Sequence, residues 1–110
     1  MKIEDKRKFS RCLTQLDAQY FSDVRRGNWE TCTVINISRK GMGIKLHASE
    51  QMDIGSILHL AILVPKESDP IMVKGELRWV KQKGDRFIGG IELAEALDDV
   101  TWATLVQDKA

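Results

Sequence analysis

The sequence predicts a mainly β fold: a six-stranded antiparallel β-barrel or closed sandwich with a short C-terminal α-helix. Three observations carry this expectation. Short segments of strand character recur along most of the chain, the connections between them are brief and rich in turn formers, and only the last stretch changes to helical spacing.

The first strand is expected at about residues 13–21, where Leu16, Ala18 and Tyr20 share one face and Gln15, Asp17 and Gln19 the other. The charged loop at residues 22–28 leads to a second strand at residues 29–37, rich in β-branched Thr31, Thr33, Val34, Ile35 and Ile37. Strict alternation there places Thr33, Ile35 and Ile37 on one face, so that Val34, Asn36 and Ser38 project together from the other. After Arg39-Lys40-Gly41, a turn whose glycine is free to take positive φ, Met42, Ile44 and Leu46 alternate with Gly43, Lys45 and His47.

Residues 57–64 form an apolar run bounded by Gly55 and Pro65, too short for an ordinary helix and bracketed like a buried strand. Ile71, Val73, Gly75, Leu77 and Trp79 then alternate with Met72, Lys74, Glu76 and Arg78, which assigns Trp79 to the core face. The last strand is expected at residues 87–93, with Gly89-Gly90 marking close packing or a bend. From Asp98 onward, an acidic cap and the i,i+4 pair Trp102 and Val106, with Leu105 beside them, predict a helix that packs on or plugs the barrel.

A chain of 110 residues fits one domain. Seventeen Lys and Arg against 16 Asp and Glu leave a net charge of +1, so no global positive field draws the chain onto nucleic acid or an anionic membrane. No apolar run has membrane-helix length, and the start Met1-Lys2-Ile3-Glu4-Asp5-Lys6-Arg7-Lys8 lacks the apolar middle of a secretion signal, so a cytoplasmic protein without membrane insertion is expected. Cys12 and Cys32 have neither CxxC nor CxxH spacing and read as reduced thiols.

Catalysis finds little support, because His47 and His59 stand alone on strand patterns with no nucleophile elbow. Metal ligation finds none: HxH and HExxH are missing, and helix capping accounts for Asp98-Asp99. Catalytic and metal residues are therefore expected to be none. Two polar elements remain. The basic segment Lys6-Arg7-Lys8-Phe9-Ser10-Arg11 sets Arg7 and Arg11 four apart before the first strand, and arginine suits bidentate recognition of phosphate and of a guanine O6/N7 edge. The segment Asn36-Ile37-Ser38-Arg39-Lys40-Gly41 offers an amide, a hydroxyl and a turn with backbone N–H groups suited to an anion. Taken singly, a terminal Arg-x-x-x-Arg is more often a solvated tail, and an Asn/Ser pair more often satisfies turn backbone.

Together, Arg7-x-x-x-Arg11 before the first strand and Asn36-x-Ser38-x-x-Gly41 at the end of the second strongly resemble the PilZ domain, the bacterial receptor module for cyclic di-GMP. The resemblance extends through the apolar hairpin, the Leu77-Arg78-Trp79-Val80 strand and the closing Phe87-Ile88-Gly89-Gly90-Ile91-Glu92-Leu93. It implies one PilZ-like domain over residues 1–110, with a flexible basic arm at 1–12, the barrel at 13–93, and a C-terminal helix and tail at 94–110.

It further implies that Arg7 and Arg11 clamp guanine edges and phosphates, that Asn36 and Ser38 complete the contacts, and that Gly41 lets the turn approach the ligand. Lys6 and Arg39 are implied as secondary ligand contacts. Asn36 stands where many members have Asp, so the site lacks that carboxylate. The function implied is a non-enzymatic receptor or adaptor, without a cofactor. It would change conformation on capturing cyclic di-GMP and regulate an effector protein of motility, attachment or exopolysaccharide output. Two other readings stand beside it. One is a PilZ-like interaction module that binds no nucleotide. The other is a small barrel for single-stranded nucleic acid, which near-neutral charge and 6% aromatic content disfavour, so no DNA or RNA partner is expected.

Overall fold

The computed structural model describes residues 12–23, 29–47 and 52–107. Six strands, β1 (Cys12–Ser22), β2 (Glu30–Ile37), β3 (Gly41–Leu46), β4 (Ile57–Ile62), β5 (Ile71–Lys83) and β6 (Arg86–Leu93), precede one helix, α1 (Asp99–Gln107). All pairings are antiparallel, and the order β1-β2-β3-β6-β5-β4 closes on itself through β1 and β4. The expected fold class is the observed one. Among the described residues, closure pairs every strand of the sheet on both sides.

The interior is filled by the alternating apolar residues that define the strands. Val34, Ile37, Met42, Ile44, Leu46, Leu58, Leu60, Ile62 and Leu77 are fully buried, and Leu105 of α1 joins them with Leu97 from the segment before the helix. Helix α1 begins at a capped end: Asp98 Oδ1 accepts the Thr101 N–H at 2.7 Å, and the Asp98 carbonyl accepts the Trp102 N–H at 2.9 Å. That hydrogen bond to the Thr101 backbone holds the Asp98 carboxyl below its ordinary pKa.

Two irregularities correct the simple alternation. In β2 the register against β3 shifts between Val34 and Asn36, so Cys32, Val34 and Ile37 are all buried while Thr33 and Asn36 lie on the outer surface. Ile35 absorbs the extra residue, and the expected grouping of Val34 with Asn36 and Ser38 does not occur. In β5 the register against β6 shifts between Leu77 and Trp79, which leaves Leu77 inside and turns Trp79 outward at 44% exposure. The core assignment of Trp79 is thereby overturned: a period of two holds only as long as every residue pairs.

Candidate functional site

The β2–β3 hairpin is built around Ser38. Ile37 pairs with Met42, the Ser38 N–H donates to the Gly41 carbonyl at 2.8 Å, and the Gly41 N–H donates to Ser38 Oγ at 3.0 Å. The hydroxyl in turn lies 3.2 Å from the Gly41 carbonyl that it donates to. Ser38 is buried at 5% exposure, so its side chain clasps the turn from within instead of projecting beside Asn36. Gly41 opens β3 in extended backbone; the described glycines with positive φ are Gly55 and Gly84. The expected left-handed glycine at the turn is therefore corrected. The Ser38 clasp closes this turn, and the glycine is not needed for its φ.

Arg39 and Lys40 form the tip of the hairpin and are tied to the far end of the chain. The Leu97 N–H donates to the Arg39 carbonyl and the Leu93 N–H to the Lys40 carbonyl, each at 2.7 Å. Arg39 Nη1 donates to Asp99 Oδ1 at 2.8 Å and lies 3.4 Å from the Leu97 carbonyl. The guanidinium also sits 5.1 Å from the Trp102 ring centre. The expected secondary ligand residue Arg39 is thus held between the hairpin tip and α1.

On the outer wall, four residues form one row across four strands. Asn36 of β2 pairs with Gly43 of β3, Gly43 with Gly90 of β6, and Gly90 with Trp79 of β5. A Cβ built on Gly43 would come within 2.9 Å of Asn36 Cγ and Oδ1, and one on Gly90 within 2.6 Å of Trp79 Cε2. The carboxamide and the indole therefore lie flat over the two bare glycines and lean toward each other. Sequence reasoning missed this platform. The usable signal was a pair of glycines facing each other on adjacent strands, next to a tryptophan assigned to the core.

The chain enters the barrel beside this hairpin. Cys12, the first residue of β1, pairs with Ile37, between Asn36 and Ser38. Lys6, Arg7 and Arg11 lie outside the described residues; Arg11 directly precedes Cys12 in the sequence.

Elsewhere among the described residues, ionisable groups form local pairs. Arg86 Nη1 lies 2.7 Å from His47 Nδ1, with Thr33 Oγ1 at 3.2 Å from the other ring nitrogen. His59 Nε2 is 2.7 Å from Asp23 Oδ1, and its ring stacks on Phe21 at a centroid distance of 4.6 Å. Burial pushes the Cys32 thiol up to about 12. Among the described residues, no cluster of three His, Cys, Asp or Glu is placed to hold a metal ion, and no helix is long and apolar enough to cross a membrane. A groove of about 400 Å³ runs beside the hairpin past Lys40, Lys74 and Arg78. Its charge is mixed, with Arg78 within 3.5 Å of Glu76 and 3.6 Å of Glu92.

Residues 5–107 match the PilZ domain family, a span that includes Arg7, Arg11 and the whole barrel. The chain belongs to the PilZ domain family. Its fold is similar to that of the Bacillus subtilis inhibitor of motility, MotI/DgrA, with a TM-score of 0.71 at 21% identity, over 97% of this chain. The chain spans only 51% of that protein's length. It is equally similar to the PilZ domain of YcgR from Escherichia coli, whose structure holds c-di-GMP, with a TM-score of 0.71 at 9% identity over 96% of this chain and 95% of that one. No curated protein matches the sequence.

Proposed function

We propose that this PilZ domain is a receptor for cyclic di-GMP that regulates a partner protein and catalyses no reaction itself. The observation that carries the reading is the pairing of Cys12 with Ile37. It sets Cys12, which directly follows Arg11 in the sequence, against the centre of Asn36-x-Ser38-x-x-Gly41, and that adjacency supports assigning both elements of the family motif to one site.

Each residue has a role that its chemistry supports. Arg7 and Arg11, with Lys6 beside them, would clamp the two phosphates and guanine O6/N7 edges with planar, permanently charged forks. Asn36 would supply one donor and one acceptor to a purine edge. Ser38 and Gly41 hold the turn closed, which fixes where Asn36 starts, and Arg39 borders the site from its seat against α1. Trp79, flat over Gly90, offers an aromatic face on the same wall.

The YcgR domain in complex with c-di-GMP and the motility inhibitor MotI support both the ligand and an effector of the motility class. Capture would neutralise the arginines and change the conformation of the domain, altering the surface shown to the partner. A cytoplasmic setting, where the dinucleotide is made and read, belongs to the same reading.

The test is calorimetric titration of the purified protein with cyclic di-GMP, alongside GTP and a linear guanine dinucleotide, for wild type and an Arg7→Ala/Arg11→Ala double variant. Selective binding that the double variant loses is the expected result. An absence of heat and of competition in the wild type would instead leave a PilZ interaction module that binds no nucleotide.

A further inference from the structure

We propose that Gly43, which lies outside the Asn36-x-Ser38-x-x-Gly41 motif, is a positioning residue: its missing side chain is the space in which the Asn36 carboxamide lies flat. The inference rests on the cyclic di-GMP reading for its consequence, but its geometry is independent of that reading. Gly43 lies between the core residues Met42 and Ile44 in β3 and is itself buried, and it is the cross-strand partner of Asn36. A Cβ at this position would sit within 2.9 Å of Asn36 Cγ and Oδ1 and closer still to Nδ2. The two cannot share the space.

Comparison with Gly75 shows why this glycine is of a different kind. A Cβ on Gly75 would meet the Glu92 carbonyl oxygen at 2.7 Å, and main chain in a closed barrel does not move aside. The three atoms nearest to a Cβ on Gly43 all belong to the end of one short side chain, the Asn36 carboxamide. An alanine there is accommodated by swinging the Asn36 carboxamide away from the wall, and a strand favours alanine over glycine. The substitution therefore acts first on the Asn36 carboxamide and leaves the main chain of β3 in place.

That group matters because an amide reads a purine edge only when donor and acceptor are both aimed. Lying across Gly43, the carboxamide points along the wall toward Gly90, over which Trp79 leans from the other side. Standing upright from β2, it would present the same atoms in another plane.

The experiment measures cyclic di-GMP affinity and thermal midpoint for wild type, Gly43→Ala, Asn36→Ala and the double variant. Gly43→Ala should weaken binding by about tenfold, the scale of one lost bidentate base contact, while the chain still unfolds in one cooperative transition. The double variant should bind no worse than Asn36→Ala alone, because both changes remove one contact. Wild-type affinity in Gly43→Ala, losses that add in the double variant, or a Gly43→Ala chain that unfolds would each overturn the proposal.

If wild type binds no cyclic di-GMP, the functional reading fails and the positioning is decided without ligand. The Asn36 side-chain NH₂ resonances, identified by their loss in Asn36→Ala, should shift in Gly43→Ala. Unchanged resonances would overturn the inference.

Discussion

Arg39 and Asp99 join the tip of the β2–β3 hairpin to the first residue of α1 through a 2.8 Å ion pair. The Asp99 side chain is 91% exposed, so water screens the charge pair and it contributes little by itself. The Trp102 face under the guanidinium and the backbone bond from Leu97 make the joint more than an ion pair. Arg39→Ala should cost about 1 kcal/mol, the sum of a weak surface ion pair and an exposed cation–π contact. Arg39→Lys should recover only part, since lysine lacks the planar face. Chemical denaturation gives the energies, and hydrogen exchange should show amides of α1 opening faster in Arg39→Ala while β4 and β5 stay protected. Unaltered exchange in α1 would mean the helix is held by Leu97 and Leu105 alone.

Ser38→Ala removes the acceptor from the buried Gly41 N–H. An unsatisfied buried donor costs about 1–3 kcal/mol, so the melting midpoint should fall clearly. Because the hydroxyl closes the turn, cyclic di-GMP binding should weaken even if the ligand never touches Ser38. Ser38→Thr, which keeps the hydroxyl, should recover part of the stability. A midpoint in Ser38→Ala equal to wild type would show that the clasp is dispensable.

Most of the barrel was legible because inward residues of β1, β3, β4 and β6 repeat every second position and are buried as that period demands. The helix was legible from Asp98 and the Trp102, Leu105 and Val106 spacing. What was not legible falls at two bulges. A bulge inserts one unpaired residue and exchanges the faces beyond it, and nothing in Val34-Ile35-Asn36 or Leu77-Arg78-Trp79 announces which strand partner will slip. Asn36 and Ser38 were consequently grouped together and Trp79 was sent inside. The motif residues were visible as a spacing, whereas the Asn36–Gly43–Gly90–Trp79 row exists only once β3 and β6 are known to be neighbours.

Gly90 carries the indole of Trp79 as Gly43 carries the Asn36 amide, but an indole is rigid and large. Gly90→Ala should therefore lift the ring off the wall into water, giving a red-shifted, more readily quenched tryptophan emission relative to wild type. Trp79→Phe serves as the reference for the Trp29 and Trp102 background. The expected stability loss is about 1–2 kcal/mol, the scale of an overpacked contact. An unchanged spectrum would place the indole elsewhere in solution.

The two thiols should differ sharply in reactivity. Cys32 is buried and its thiol is pushed up to about 12, so at pH 8 only about one molecule in ten thousand holds it as the reactive thiolate. Cys12 is partly exposed at the start of β1. A disulfide-exchange reagent should titrate one thiol per native chain promptly and the second only on unfolding, with Cys12→Ser abolishing the fast phase. Two prompt equivalents would mean that the β1–β2 wall opens on the timescale of the assay.

Acid should loosen the C-terminal helix first through Asp98. Its carboxyl is held below the ordinary value of 3.8, chiefly by the Thr101 backbone N–H it accepts. A group whose folded pKa is depressed stabilises the fold fully above its unfolded pKa, and that contribution fades as pH falls through the folded value. Wild-type stability should therefore be insensitive to this group near neutrality and decline below pH 3.8. Asp98→Asn keeps a capping oxygen but cannot titrate, so it should flatten this part of the profile and lower stability only where the wild-type carboxylate is ionised. Denaturation midpoints between neutral and acid pH check this, with amide exchange at Thr101 and Trp102 reporting the helix start directly. A profile identical in wild type and Asp98→Asn would show that other carboxylates govern the acid limb.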